Sequence, residues 1–199
     1  AFWIDRFEAS VWSTSDDTGN VSWGQSEGDF PSSFLRNGQW TTSKPPAFAL
    51  SKSGVLPSRF ITWFQANEAC RASGKRLPSS DEWMASVRGT PNSTGMPGTG
   101  GNCETDASGL RATGLGVDGK SGWGAEDMVG NLWEITVEWF ASSGKDAVLT
   151  HPWPADYGVD LTYSISGYAK AEHDAMPVSG MPSVAVRGGS YGNFGGDAG

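Results

Sequence analysis

Two histidines, His151 and His173, and two cysteines, Cys70 and Cys103, are all this chain offers for imidazole or thiol chemistry. Neither histidine stands in a two-histidine ligand pattern such as H-E-x-x-H, so both read as solvent-facing loop residues rather than zinc ligands. No G-x-S-x-G elbow accompanies either one, which argues against a Ser-His-Asp hydrolase. Cys70 and Cys103 lie too far apart for a C-x-x-C redox pair, and no basic neighbour in the sequence activates either thiol. One disulfide or two buried thiols would both suit them, so the redox compartment stays open. "GTGG" and "GLGVDG" lack the strand-then-helix setting of a phosphate cradle and read as loop glycines. Carboxylates are the denser resource. Glu126, Asp127, Glu134 and Glu138 surround "DMVGNLWE". Such groups beside glycine turns can join backbone carbonyls around Ca²⁺, or they can satisfy turn and strand hydrogen bonds; EF-hand spacing is absent. Residue types alone therefore give catalysis little support, and imply no metal and no cofactor.

The C-terminal stretch "SVAVRGGSYGNFGGDAG" offers a different chemistry, that of contact. Tyr191, the adjacent pair Asn193 and Phe194, and Asp197 stand among glycines and an alanine. Tyrosine and phenylalanine give rigid apolar area, while asparagine and aspartate give hydrogen bonds, the mixture typical of binding loops. The competing reading packs Tyr191 and Phe194 inward and leaves Asn193 and Asp197 to shape turns.

Elements that could position these residues are legible along the chain. "RFITWFQANEACRASGKRLP" predicts a helix opened by a Thr62–Gln65 capping box, with Trp63, Ala66 and Cys70 as its apolar stripe. Gly74 supplies a left-handed stop and Pro78 bars continuation. "SSDEWMASVRG" predicts a second helix, capped by Ser79 and Glu82 and ended by Gly89. "AFWIDRFEAS" reads as a strand, with short strands expected near Trp23 and Phe48. "LWEITVEWF" alternates Leu132, Glu134, Thr136 and Glu138 with Trp133, Ile135, Val137 and Trp139. The second set is expected to form the buried face of a strand. A last strand runs through Val184, Ala185 and Val186. Short strands, two capped helices and long loops imply an α+β fold rather than a parallel α/β sheet.

Totals fit that picture. A chain of 199 residues suggests one domain, residues 1–199, with one substantial core. Ten Trp, nine Phe and 28 Gly describe a compact loop-rich body rather than a disordered one. A net charge of -8, with 14 Lys and Arg, disfavours nucleic acid and anionic membrane surfaces as partners. No stretch approaches the roughly 20 apolar residues of a spanning helix, so no membrane insertion is expected.

Taken in order, "FWIDRFEAS", "ITWFQANEACRASGKRLPSSDEWMASVRGTP", "DMVGNLWE" and "VAVRGGS" resemble the formylglycine-generating-enzyme-type domain, a subtype of the C-type lectin fold, over nearly the whole chain. The resemblance implies two short helices packed on small antiparallel sheets with long loops. It also implies that one or more final strands beyond Gly199 complete the family's domain. Enzymes of this type carry two active-site cysteines shortly after the motif matching Gly188-Gly189-Ser190. Here Asn193 and Ala198 fall about where those thiols would be. The related sulfoxide synthases need an iron-binding histidine cluster on an additional helical domain, and neither is present in this sequence.

Among the classes sharing the domain, the chain most resembles the variable proteins of diversity-generating retroelements. That resemblance implies a non-enzymatic display scaffold, found in phages, bacteria and archaea. Its segment after "RGGS" is altered by adenine-directed mutagenesis and binds a protein or cell-surface ligand, with a virion or cell-surface location. Tyr, Asn, Phe and Asp are all reachable from one asparagine codon by changes at adenines, so Tyr191, Asn193, Phe194 and Asp197 are the expected ligand-binding residues. The alternatives are an oxidoreductase of the same superfamily with altered chemistry and a structural phage or surface module.

Overall fold

A computed structural model describes residues 1–16, 18, 22–34, 47–91, 109–116, 119–141 and 182–191. Three short strands come first: β1 (Ala9–Trp12), β2 (Ser22–Trp23) and β3 (Phe48–Ser51). β1 lies between the other two and is antiparallel to both, with Val11 opposite Trp23 on one side and Ala49 on the other. Two helices follow, α1 (Trp63–Ala72) and α2 (Ser80–Val87), and then an antiparallel pair, β4 (Glu134–Ala141) and β5 (Pro182–Arg187). The architecture is α+β, two helices on small antiparallel sheets. None of the helices among the described residues is long and apolar enough to cross a membrane.

Both helix starts form as their sequences dictate. Thr62 and Ser79 each accept the backbone N–H three residues on, while Gln65 and Glu82 reach back to the cap N–H. Two of the orphan donors at each helix start are thereby satisfied. α1 ends in a Schellman turn: the Lys75 N–H donates to Cys70 O at 2.9 Å and the Gly74 N–H to Arg71 O at 3.0 Å, with Gly74 at φ 70°.

The packing face of α1 is rotated from its expected stripe. Gln65 and Ala69 are the buried positions, whereas Trp63, Ala66 and Cys70 are half-buried. Gln65 accounts for the rotation. Its Nε2 donates to the Phe34 carbonyl at 2.9 Å, so one side chain serves both the cap and the core. Around it Val11, Phe30, Phe34, Ala47, Ala49 and Ala69 form the first core cluster, and Trp83, Ala125 and Met128 form a second under α2.

Two strand expectations are corrected. Residues 1–7 are not in a strand; pairing begins at Ala9, Phe2 is exposed and Trp3 wholly so. The segment is held instead by single bonds, from the Phe7 N–H to Ser51 Oγ at 3.0 Å and from the Glu126 N–H to Arg6 O at 2.7 Å. β4 forms, but from Thr136 to Trp139 its inner and outer faces are exchanged. Thr136 is fully buried, while Val137 and Trp139 are exposed at 43% and 41%. The polar side turns inward because every group on it meets a partner: Thr136 Oγ1 donates to Ala185 O, Trp83 Nε1 donates to Glu134, and Ser80 donates to Glu138. Glu138 thus sits at the first turn of α2, where the helix dipole favours an anion. Outside, Trp139 packs edge-on against Trp63 at a centroid distance of 5.3 Å, and the Trp63 indole donates to Thr136 O. A register shift between Ile135 and Trp139 interrupts the alternation that the sequence reading had extended through the whole strand.

The double role of Gln65 sets an order of mutational cost. Thr62→Ala removes only a cap and is expected to cost about 1 kcal/mol. Gln65→Ala also strands the buried Phe34 carbonyl and is expected to cost about 2–3 kcal/mol. Urea unfolding of the two variants checks the order, and equal midpoints would show that the Phe34 bond contributes nothing.

Candidate functional site

The C-terminal segment leaves the fold from a turn clamped onto another turn. β5 ends at Arg187, and Gly188 and Gly189 follow at φ 85° and 76°. A Cβ on Gly188 would lie 2.7 Å from the Met128 carbonyl oxygen, so only glycine fits. The Gly130 N–H donates to Gly188 O at 2.7 Å, and the Tyr191 N–H donates to Asn131 O at 3.0 Å. These bonds fix where the chain after Ser190 starts. Tyr191 is half-buried. Asn193, Phe194 and Asp197 lie outside the described residues, as do His151, His173 and Cys103. One of the four expected contact residues is therefore located, at the exit of the clamp.

Under the clamp lies a buried polar hub. Asn131 is fully buried at φ 57°, a conformation asparagine tolerates better than most side chains. Its Nδ2 donates to Glu8 Oε2 at 2.5 Å and to Arg111 O at 3.1 Å, and its Oδ1 accepts the Arg111 N–H at 2.9 Å. Glu8 Oε1 accepts the Leu132 N–H at 3.0 Å. Asp127, at φ 61°, accepts Arg111 Nη2 at 2.9 Å and the Gly114 N–H at 2.8 Å.

Each carboxylate singled out in the sequence is engaged by the protein itself. Glu126 pairs with Arg6 at 2.7 Å and with Lys120 at 3.2 Å, Asp127 with Arg111, Glu138 with Ser80 and Glu134 with Trp83. This is the arrangement of the hydrogen-bonding alternative. Among the described residues no group of three or more His, Cys, Asp or Glu side chains is arranged to hold a metal. Cys70 carries a free thiol, pushed up to about 11 by burial, with Lys75 opposing and Asp5 assisting, so it is a poor nucleophile. Sequence reasoning missed Glu8 and Arg111. Glu8 looked like an ordinary polar position of a strand, and nothing local marks a carboxylate that meets Asn131 across the fold.

The hub is electrostatically loaded. Burial pushes the Glu134 carboxyl up to about 8, opposed by the Trp83 bond and assisted by the Asp127 charge. Glu8 is likewise raised, first by burial and then by Glu134 and Asp127, with the Asn131 and Leu132 bonds pulling the other way. Between the ordinary carboxyl value of 4.5 and about 8 the folded chain thus holds more protons than the unfolded one. The resulting stability is complete below that ordinary value and is lost as pH rises through about 8.

Two outcomes follow from this geometry. In chelator-containing buffer, which keeps stray cations off the carboxyls, the melting temperature falls between about pH 5 and 8. Glu134 alone contributes a slope of up to about 1.4 kcal/mol per pH unit, and Glu134→Gln flattens the profile. A melting temperature that rises over this range contradicts the assignment. Gly188→Ala, which combines a positive φ with the Met128 clash, is expected to cost about 2 kcal/mol or more, measured by urea unfolding. A neutral result there would remove the clamp.

The chain is 25% identical over 176 residues to the formylglycine-generating enzyme of Mus musculus, covering 79% of this chain and 41% of that protein. It is 26% identical over 124 residues to the inactive C-alpha-formylglycine-generating enzyme 2 of Mus musculus, covering 54% and 40%. The Bos taurus protein of the same name gives 25% over 124 residues, covering 54% and 41%. The chain therefore spans about two fifths of the length of these curated relatives. The family model of the sulfatase-modifying factor enzyme 1-like domain matches residues 1–196, and the chain belongs to that family.

Proposed function

We propose that this domain is a non-enzymatic ligand-binding scaffold of the C-type lectin fold. In this reading the segment beginning at Tyr191 binds a protein or cell-surface ligand, and retroelement-directed mutagenesis diversifies it. The observation that carries the reading is the clamp. The backbone at Tyr191 is tied to the buried Asn131 turn while its side chain remains half-open. A rigid exit of this kind lets exchangeable side chains follow without disturbing the core, because exposed substitutions typically change stability by within about 0.5 kcal/mol.

Two further facts support the non-enzymatic part. "GGSYGNFGGDAG" contains no cysteine, so it offers no thiolate pair for copper or for redox attack. Two of the relatives bear names that call them inactive. In this reading Asn193, Phe194 and Asp197 join Tyr191 at the contact surface, on a virion or cell.

Resequencing the locus across isolates tests the diversification: changes confined to adenines after the Ser190 codon are expected, and an invariant segment defeats it. The binding part is tested on the protein. Joint replacement of Asn193, Phe194 and Asp197 by alanine is expected to leave the urea midpoint nearly unchanged, and a large loss of stability would show these side chains packed inward. Conversion of a substrate cysteine to formylglycine by the copper-treated chain would overturn the non-enzymatic reading.

A further inference from the structure

A cavity of about 690 Å³ lies between the N-terminal segment, α1, α2 and the start of β4. Its size falls within the roughly 300–1,000 Å³ of pockets that take small organic ligands. Ile4, Phe7, Leu77, Met128 and Ile135 give it an apolar wall. Three of the acids in that wall are already neutralised: Asp5 by Lys75 at 2.7 Å, Glu82 by Arg76 at 2.6 Å, and Glu126 by Arg6 and Lys120.

The other two, Glu8 and Glu134, are held by neutral donors, the Asn131 amide, the Leu132 N–H and the Trp83 indole. Arg187 stands opposite Glu134 in the strand register but is not part of the wall. The cavity is therefore lined by two carboxyl-bearing residues among apolar side chains, with Phe7 and Trp83 also in its wall.

We propose that this cavity binds an organic ammonium ion, whose apolar body covers Ile4, Leu77, Met128 and Ile135 and whose N–H groups donate to the carboxylates of Glu8 and Glu134. Charge complementarity selects this occupant. An anion is repelled by Asp127, whose charge acts on both carboxyls, and by either carboxyl once ionised, and a neutral molecule draws no charge-assisted bond from them. An inorganic cation leaves the apolar wall uncovered. Tyr191 is not among the residues lining this cavity, and the proposal does not depend on the reading of the C-terminal segment.

The cation also changes the protonation of its hosts. Both carboxyls hold their protons more tightly than usual, and burial is the first cause for each. The groups acting on them are each other, Asp127, and the donors Asn131, Leu132 and Trp83, with Arg187 across the strand pair from Glu134. Lys75 and Arg76 remain with Asp5 and Glu82. Binding an ammonium ion favours the ionised carboxylates, so a proton leaves to solvent and affinity rises with pH toward about 8.

Isothermal titration of the full chain near neutral pH decides the matter, using 3-phenylpropylammonium, neutral 3-phenylpropanol and the anion 3-phenylpropanoate. The ammonium ion is expected to bind about tenfold or more tighter than the alcohol, as charge-assisted hydrogen bonds imply, and the anion not at all. Its heat should vary with the ionisation enthalpy of the buffer, reporting the expelled proton. Glu134→Gln is expected to erase both the preference and the proton release. Equal binding of ammonium and alcohol, or binding of none of the three, overturns the proposal. That comparison needs only the unmodified chain, so it holds even where a variant fails to fold.

Discussion

The side chain of Asn131 is the point on which the described structure turns. It is fully buried, and both ends of its amide are used, toward Glu8 and toward the backbone of Arg111. Inside a protein such bonds matter more for what their loss would cost than for what they add, because a stranded buried donor or acceptor keeps its full desolvation penalty. The chain near Glu8, the chain near Arg111 and the turn from Asp127 to Leu132 are therefore held as one unit. The Asn131 carbonyl extends that unit to Tyr191. A contact between residues 8 and 131 in this way fixes the direction in which the C-terminal segment departs.

A second constraint grows from the first. Carboxyls gathered around the hub must be answered by donors, and the inner face of β4 is polar for that reason. Thr136, Glu134 and Glu138 each meet a hydrogen-bond donor or acceptor, from β5, from Trp83 and from the first turn of α2 respectively. Trp139 and Val137 are left outside, where the ring of Trp139 shares a cluster with Trp63 and Phe64. Hydrophobicity alone would have chosen the opposite face. Here the need to satisfy buried polar groups outweighed it.

The family match spans residues 1–196, whereas the functional reading rests on the residues from Tyr191 onward. The motifs by which the sequence resembles the family coincide with the frame: the two capped helices, the Asp127–Leu132 turn and the glycines after Arg187. These residues answer packing and hydrogen-bonding demands that any member with this frame would face, whatever it binds or transforms. In the proposed reading, chemistry belongs to the residues that follow Ser190, which in this chain are aromatic, amide, carboxylate, glycine and alanine. Frame and chemistry are separable, so a common domain can serve both an enzyme and, in the reading proposed here, a binding module.

Local order was written in the sequence, and its long-range use was not. The capping boxes at Thr62 and Ser79 and the Gly74 stop formed as read, because each depends on residues within a few positions of one another. The strands near Trp23, Phe48 and Val184 also formed where read, although β3 and β5 pair with partners distant in sequence. Three features depended on partners distant in sequence: the burial of Gln65 against Phe34, the exchanged faces of β4, and the pairing of Glu8 with Asn131. In each, a polar side chain that looked solvent-facing by pattern was drawn inward by a donor or acceptor more than thirty positions away. Periodicity reports how apolar groups separate from water. Which polar groups may follow them into the core is decided only when the folded chain brings their partners within hydrogen-bond reach.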